Sequence, residues 1–132
     1  MASGNQWAFD IDTNVFSKIY AQLHEKYPKA LITRDEQSST TPTFPTILIQ
    51  ALEPVERNPD LETQINSVLF STQIKVTTNK DRSTAMSIAS EVAKRYKDLS
   101  FQLIGIPYCR KEDKLWAATF RARRTFDWND RL

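Results

Sequence analysis

Cys109 and His24, the only cysteine and the only histidine, are the one pair that could supply a nucleophile and its base. A thiol of this kind needs the base within hydrogen-bond reach and a third group to orient it. Nothing in the spacing brings them together, and the packing reading makes Cys109 a small strand hydrophobe and His24 a solvent-facing helix residue. Acid and base chemistry by paired carboxylates would need an environment that drives two pKa values apart. Glu53, Glu56, Asp60 and Glu62 cluster in a proline-containing polar stretch with no such environment, and a solvated loop accounts for them. A phosphate-cradling loop requires several glycines for close backbone approach, and the chain has only Gly4 and Gly105. No Cys/His cluster has ligand spacing, so neither a zinc site nor an internal disulfide is expected, and no cofactor is implied. These residues point away from an enzyme.

The segment LWAATFRARRTF, residues 115–126, carries the strongest case for binding. In a strand, alternation puts Arg121 and Arg123 on one face and Trp116, Phe120 and Arg124 on the other. Aromatics and cations on a sheet can stack nucleic-acid bases. The competing reading makes Trp116, Ala118, Phe120 and Ala122 core residues and the arginines partners of acidic neighbours at the strand end. It is favoured because the formal net charge is only +2 and the glycine and aromatic pattern of an RNA-recognition motif is absent.

The elements that must position these residues follow from the hydrophobic pattern. At 132 residues, 40% apolar and 26% charged, the chain has the composition of a folded single domain. No apolar run approaches the roughly 20 residues of a membrane-spanning helix, and the N-terminus has no basic flank followed by an apolar stretch. No membrane partner is therefore expected. Val15, Phe16, Ile19, Tyr20 and Leu23 recur at spacings of three and four, predicting a helix capped at Asp12 or Thr13 and ending near Pro28. The preceding residues, about 1–10, and the tail, about 127–132, read as flexible ends. Ala30 to Thr33 reads as a short strand, and Phe44 to Leu52 as a β-branched strand with Pro45 at its entry. From Ile65 to Thr78 the pattern alternates, with Val68, Phe70, Ile74 and Val76 on the apolar side. Asn79 or Asp81 then caps a second helix whose stripe is Ala85, Ile88, Ala89, Val92, Ala93, Tyr96 and Leu99. Strands at Phe101–Cys109 and Leu115–Phe126 flank a polar turn from Arg110 to Lys114, predicting an antiparallel hairpin. The fold class is α+β: a mostly antiparallel sheet with two amphipathic helices on one face, in the order α-β-β-β-α-β-β.

Two polar stretches, 35–43 and 53–64, exceed the usual connection length and are candidate contact arms. The second, with two prolines and several acids, reads as irregular throughout.

Taken in order, KYPKA at the end of the first helix, the FP entry in FPTILIQALE, the strand-to-helix passage VLFSTQIKVTTNKDRSTAMSIASEVAKRYKDLSFQLIGIPY and the final LWAATFRARRTF carry a family likeness. The chain resembles, from about Thr13 to Phe126, the tail terminator and tail completion proteins of long-tailed bacteriophages. The resemblance implies a non-enzymatic virion protein, made in the bacterial host cytoplasm, that forms a hexameric ring on the finished tail tube. Such a ring stops tube polymerisation, offers a surface to the head-tail connector, and passes DNA through its lumen at most. A head completion or neck adaptor protein of the same region is a close variant, and a nucleic-acid-binding module using the last strand is a reading of another class. A ring built head to tail needs two different complementary patches on each subunit. Arg121, Arg123 and Arg124 are the candidates for a subunit interface or lumen. Asp35, Glu36, Glu53, Glu56 and Arg57 are the candidates for contacts with neighbours or the tube.

Overall fold

Trp7, Ile11, Val15, Ile19 and Leu23 stand four residues apart, and this stripe, longer than the sequence reading used, sets the first helix. A computed structural model describes residues 6–34, 44–52, 55–57, 67–127 and 130. In it helix α1 runs Gln6–Lys26. It begins well before the expected cap at Asp12 or Thr13, and residues 6–10, expected to be flexible, are helical. The reason is packing: Ile11 is buried and Trp7 lies against the core, so the apolar face continues through the candidate caps. Phe16 sits at the margin of that face under the Arg34 guanidinium, which lies 4.9 Å from its ring centre and also pairs with Asp12 at 3.3 Å.

The strands are β1 (Leu31–Thr33), β2 (Thr46–Ala51), β3 (Val55–Arg57), β4 (Ser67–Thr78), β5 (Gln102–Glu112) and β6 (Leu115–Asp127), with helix α2 (Arg82–Asp98) between β4 and β5. The expected α+β class and element order are found, with the short β3 added. The sheet order is β1-β2-β4-β6-β5, antiparallel except for β1 with β2, and β3 pairs separately with the start of β4. The stretch 53–64, read as irregular, thus contains a strand, because Val55–Arg57 finds free backbone groups on β4 opposite Ser67–Leu69. The hairpin turn is also shorter than expected. Arg110, Lys111 and Glu112 remain in β5 against Ala117, Trp116 and Leu115, leaving only Asp113 and Lys114 between the strands.

Both helices cover one face of the sheet. Val68, Phe70, Thr72, Ile74 and Val76 of β4 are buried there with Ala118, Phe120 and Ala122 of β6 and the stripe of α2. The small residues Ala85, Ala89 and Ala93 let α2 lie close on the strands.

Helix α2 is closed at both ends by identifiable devices. Asp81 is the N-cap, its carboxylate accepting from the Thr84 N–H at 2.7 Å. At the other end Leu99 is the C-cap and Ser100 takes the left-handed conformation, φ 66°. The Phe101 N–H donates to Tyr96 O at 3.0 Å and the Ser100 N–H to Lys97 O at 2.9 Å. This is the Schellman arrangement with serine where glycine is usual, and the Tyr96–Phe101 ring contact at 5.1 Å is its hydrophobic component. Ser100→Gly is therefore expected to stabilise the fold by about 1 kcal/mol, measurable by urea unfolding, since only glycine takes this conformation without strain.

Glu91 joins the helices, pairing with Arg95 at 2.7 Å and with Lys26 of α1 at 3.2 Å. The Lys26 hydrogen bond holds the Glu91 carboxyl below its usual range, and the Thr84 backbone bond does the same for Asp81. Groups with depressed folded pKa values stabilise fully above their unfolded pKa and lose that contribution as pH falls through the folded one. Thermal melts from about pH 7 to about pH 3 should show falling stability across the carboxylate range. Asp81→Asn, which keeps a capping oxygen, should melt near wild type at neutral pH with a shallower acid decline.

Candidate interaction surface

With the helices on one side, no described element covers the other face of the sheet. Leu69, Ser71, Gln73, Lys75 and Thr77 of β4 point to it, half-buried, beside Thr119, Arg121, Arg123 and Thr125 of β6. Arg121 and Arg123 are exposed in two neighbouring positions of one row, as alternation requires. The Arg121 Nε donates to Gln73 Oε1 at 3.0 Å, and Arg123 stands opposite Ser71 and Gln102 in the register. Lys75 pairs with Glu112 at 3.1 Å across the same face. Apart from Leu69, these residues of β4 and β6 are polar, with a cationic row at Arg121 and Arg123.

Arg124 belongs to the other face. Its guanidinium donates to the Leu99 carbonyl at 2.7 Å and lies 4.4 Å from the centre of the Phe126 ring. It satisfies one of the carbonyls that the end of α2 leaves without an intrahelical partner, and its charge suits the negative end of the helix dipole. Arg124 is therefore engaged by the fold, which leaves Arg121 and Arg123 as the outward pair. Arg124→Met should lower stability by about 1–2 kcal/mol, read by denaturant unfolding, through loss of a charge-assisted bond to a half-buried carbonyl.

The two aromatics of the base-stacking arrangement lie on the face away from Arg121 and Arg123. Phe120 is buried and Trp116 packs against the core, both on the helix-covered side. Cys109 faces the same side opposite Ala118, half-buried on β5, whereas His24 is exposed on α1 and stacked on Tyr20 at 5.4 Å. The two are not brought together. Among the described residues no group of three His, Cys, Asp or Glu could hold a metal, and no helix is long and apolar enough to cross a membrane.

Of the remaining candidates, Glu56 and Arg57 lie in β3, in register with Val68 and Ser67. Asp35, Glu36 and Glu53 fall outside the described residues, as do the stretch 35–43 and most of 53–64.

Sequence reasoning missed a second feature, the free edge of the sheet. Among the described residues β5 is an outermost strand of 11 residues, paired only with β6. Between Ile104 and Tyr108 the register breaks: Gly105, Ile106 and Pro107 stand opposite the single residue Phe120. Gly105 makes the bulge possible with φ 72°, and a side chain there would meet no steric obstacle. Gly105→Ala should thus cost about 1–2 kcal/mol from backbone conformation alone, measurable by urea unfolding. Ile106, at the tip, is 89% exposed, and Ile104 and Tyr108 beside it are also exposed. Among the described residues the only other exposed large hydrophobic is Tyr20, so the exposed apolar surface concentrates at this edge. Its signal in the sequence was GIP, residues 105–107, inside an apolar strand pattern.

Comparison with protein-family models and with curated proteins returns no match.

Proposed function

We propose that this chain is a phage virion structural protein that assembles into a ring on the end of the tail tube, ending tube polymerisation and offering the surface for head-tail joining. The observation that carries the reading is the sheet with two different surfaces that no described residue covers. One is the open face bearing Arg121 and Arg123, and the other is the β5 edge bearing Ile104, Ile106 and Tyr108. A subunit that contacts neighbours around a ring, and a tube beneath it, needs such distinct surfaces on one rigid frame. The resemblance of KYPKA, FPTILIQALE and LWAATFRARRTF to tail terminators supplies the choice of tube over other assemblies.

In this reading the arginine face is the one turned toward the tube or the lumen, where a cationic surface tolerates the passing DNA without gripping a sequence. Polymerised tail-tube protein mixed with the purified chain is the test. Electron microscopy is expected to show density on tube ends and tubes that stop lengthening. Bare, growing ends at saturating protein would overturn the reading.

A further inference from the structure

Backbone, an apolar groove and charge meet on the outer side of β5. The strand pairs with β6 and with no other described strand, so its outer row of N–H and C=O groups faces away from the sheet. Tyr108 to Glu112 stay in unbroken register with Thr119 to Leu115, whereas the bulge at Gly105–Pro107 interrupts the row, and Pro107 has no N–H to offer. Between α2 and this edge runs a groove of about 360 Å³, with Met86, Ala89 and Ala93 on one wall and Leu103 and Pro107 on the other. Lys94 and Lys97 rim it, and no carboxylate lines it. On the opposite side of the same strand, Arg110 shares the face of Arg121 and Arg123, its guanidinium 5.6 Å from the centre of the Tyr108 ring. The one acidic residue of β5, Glu112, is paired with Lys75.

We infer that the β5 edge binds an acidic, extended segment of another protein, which adds to the sheet as a further strand beside Tyr108–Glu112. Edge pairing accepts an extended peptide through its main chain, and the pleat then sends alternate side chains to the two faces. On the helix side, small apolar side chains fit against Ala89 and Ala93, and carboxylates at the rim meet Lys94 and Lys97. On the other side, carboxylates meet Arg110. A basic segment would face like charge on both sides, and a second β5 edge, which carries the same lysines and arginine, is disfavoured for the same reason. A nucleic-acid strand has neither apolar side chains for the groove nor peptide groups for the edge, and the exposed ring of Tyr108 already has Arg110 over its face. The bulge sets where the added strand stops and leaves Ile106, 89% exposed, as an apolar contact at its end.

This inference goes beyond the capping reading and does not depend on it. The probe is a fluorescein-labelled peptide of alternating Glu and Val, titrated into the full chain at low salt and followed by fluorescence anisotropy, with a Lys and Val peptide as control. The acidic peptide is expected to bind and the basic one not, and amide exchange of the protein is expected to slow within residues 108–112 on binding. Lys94→Glu with Lys97→Glu should weaken binding by about tenfold or more and leave the melting temperature nearly unchanged, since both side chains are exposed. N-methylation of the peptide amides that face the edge should abolish binding, while methylation of the alternate set should leave it, which separates strand addition from charge attraction alone. No binding by wild type, binding that survives both methylated sets, or slowed exchange centred on Arg121 and Arg123 would overturn the proposal. Exchange already slow at residues 108–112 in the protein alone, together with a mass above that of the monomer, would give the edge to a second copy and overturn it as well. Capped tube ends with no peptide binding would leave capping standing and remove this proposal, and a bound peptide with bare tube ends would do the reverse.

Discussion

Phe101→Ala is expected to be among the most destabilising single changes in the molecule, at about 3–5 kcal/mol. Phe101 is 5% exposed and sits where α2 turns back into the sheet. Its ring meets Tyr96 at 5.1 Å, Phe70 at 6.2 Å and Phe126 at 6.0 Å, each edge to face or steeply tilted. Truncation opens a cavity bordered by three aromatic rings and removes the hydrophobic half of the Schellman cap. Domains of this size are stable by about 5–15 kcal/mol, so the loss consumes a large part of the total. The melting temperature should fall by on the order of 10–20 °C in differential scanning calorimetry. Tyr96→Phe is the informative contrast. Burial raises the Tyr96 phenol above its ordinary value, and its hydroxyl lies toward Thr72 without well-formed hydrogen-bond geometry. The Thr72 hydroxyl donates to Gln50 O at 3.1 Å, which leaves its lone pairs as the acceptor on offer to Tyr96. Removing a buried hydroxyl whose bond to Thr72 is poorly formed should leave stability within about 1 kcal/mol of wild type. A drop of more than about 1 kcal/mol in Tyr96→Phe would show that the bond to Thr72 is strong.

The second large effect concerns function. Reversing both outward arginines, Arg121→Glu with Arg123→Glu, should weaken binding to tube ends by on the order of a hundredfold while leaving the melting temperature nearly unchanged. Both side chains are exposed, and among the described residues the one bond lost is Arg121 to Gln73, a surface contact worth little to folding. Sedimentation of the variant with polymerised tubes, at two salt concentrations, reads the effect. Equal binding by wild type and variant would remove the arginine face from the tube contact. Arg124→Glu should behave differently, losing stability before any binding effect can be read, because Arg124 serves the end of α2 rather than the surface.

How far the sequence went depends on which signal each element carried. The alternation of β4 and the stripe of α2 were legible because burial on one face imposes a period, and Asp81 was a recognisable cap because its side chain answers a specific N–H. The start of α1 was misplaced because Asp12 and Thr13 look like caps wherever they stand. Only packing at Trp7 and Ile11 shows that the helix passes through them. β3 escaped notice because three residues carry no period, and their strand state comes from a tertiary partner, Ser67–Leu69. The opposed facing of Arg121 and Arg124 followed from alternation alone. That Arg124 would reach Leu99 O required the three-dimensional path of α2. Ile106 falls inside the strand expected at Phe101–Cys109, and its exposure depends on β5 being an edge with a bulge, which pattern alone does not show.

The claim that this chain works as a capping ring is tested most directly by its solution mass, measured by light scattering at several concentrations, alone and with tail-tube protein. The account predicts a sixfold mass, either free or bound to tubes. A stable monomer at every concentration that ignores the tube would contradict it.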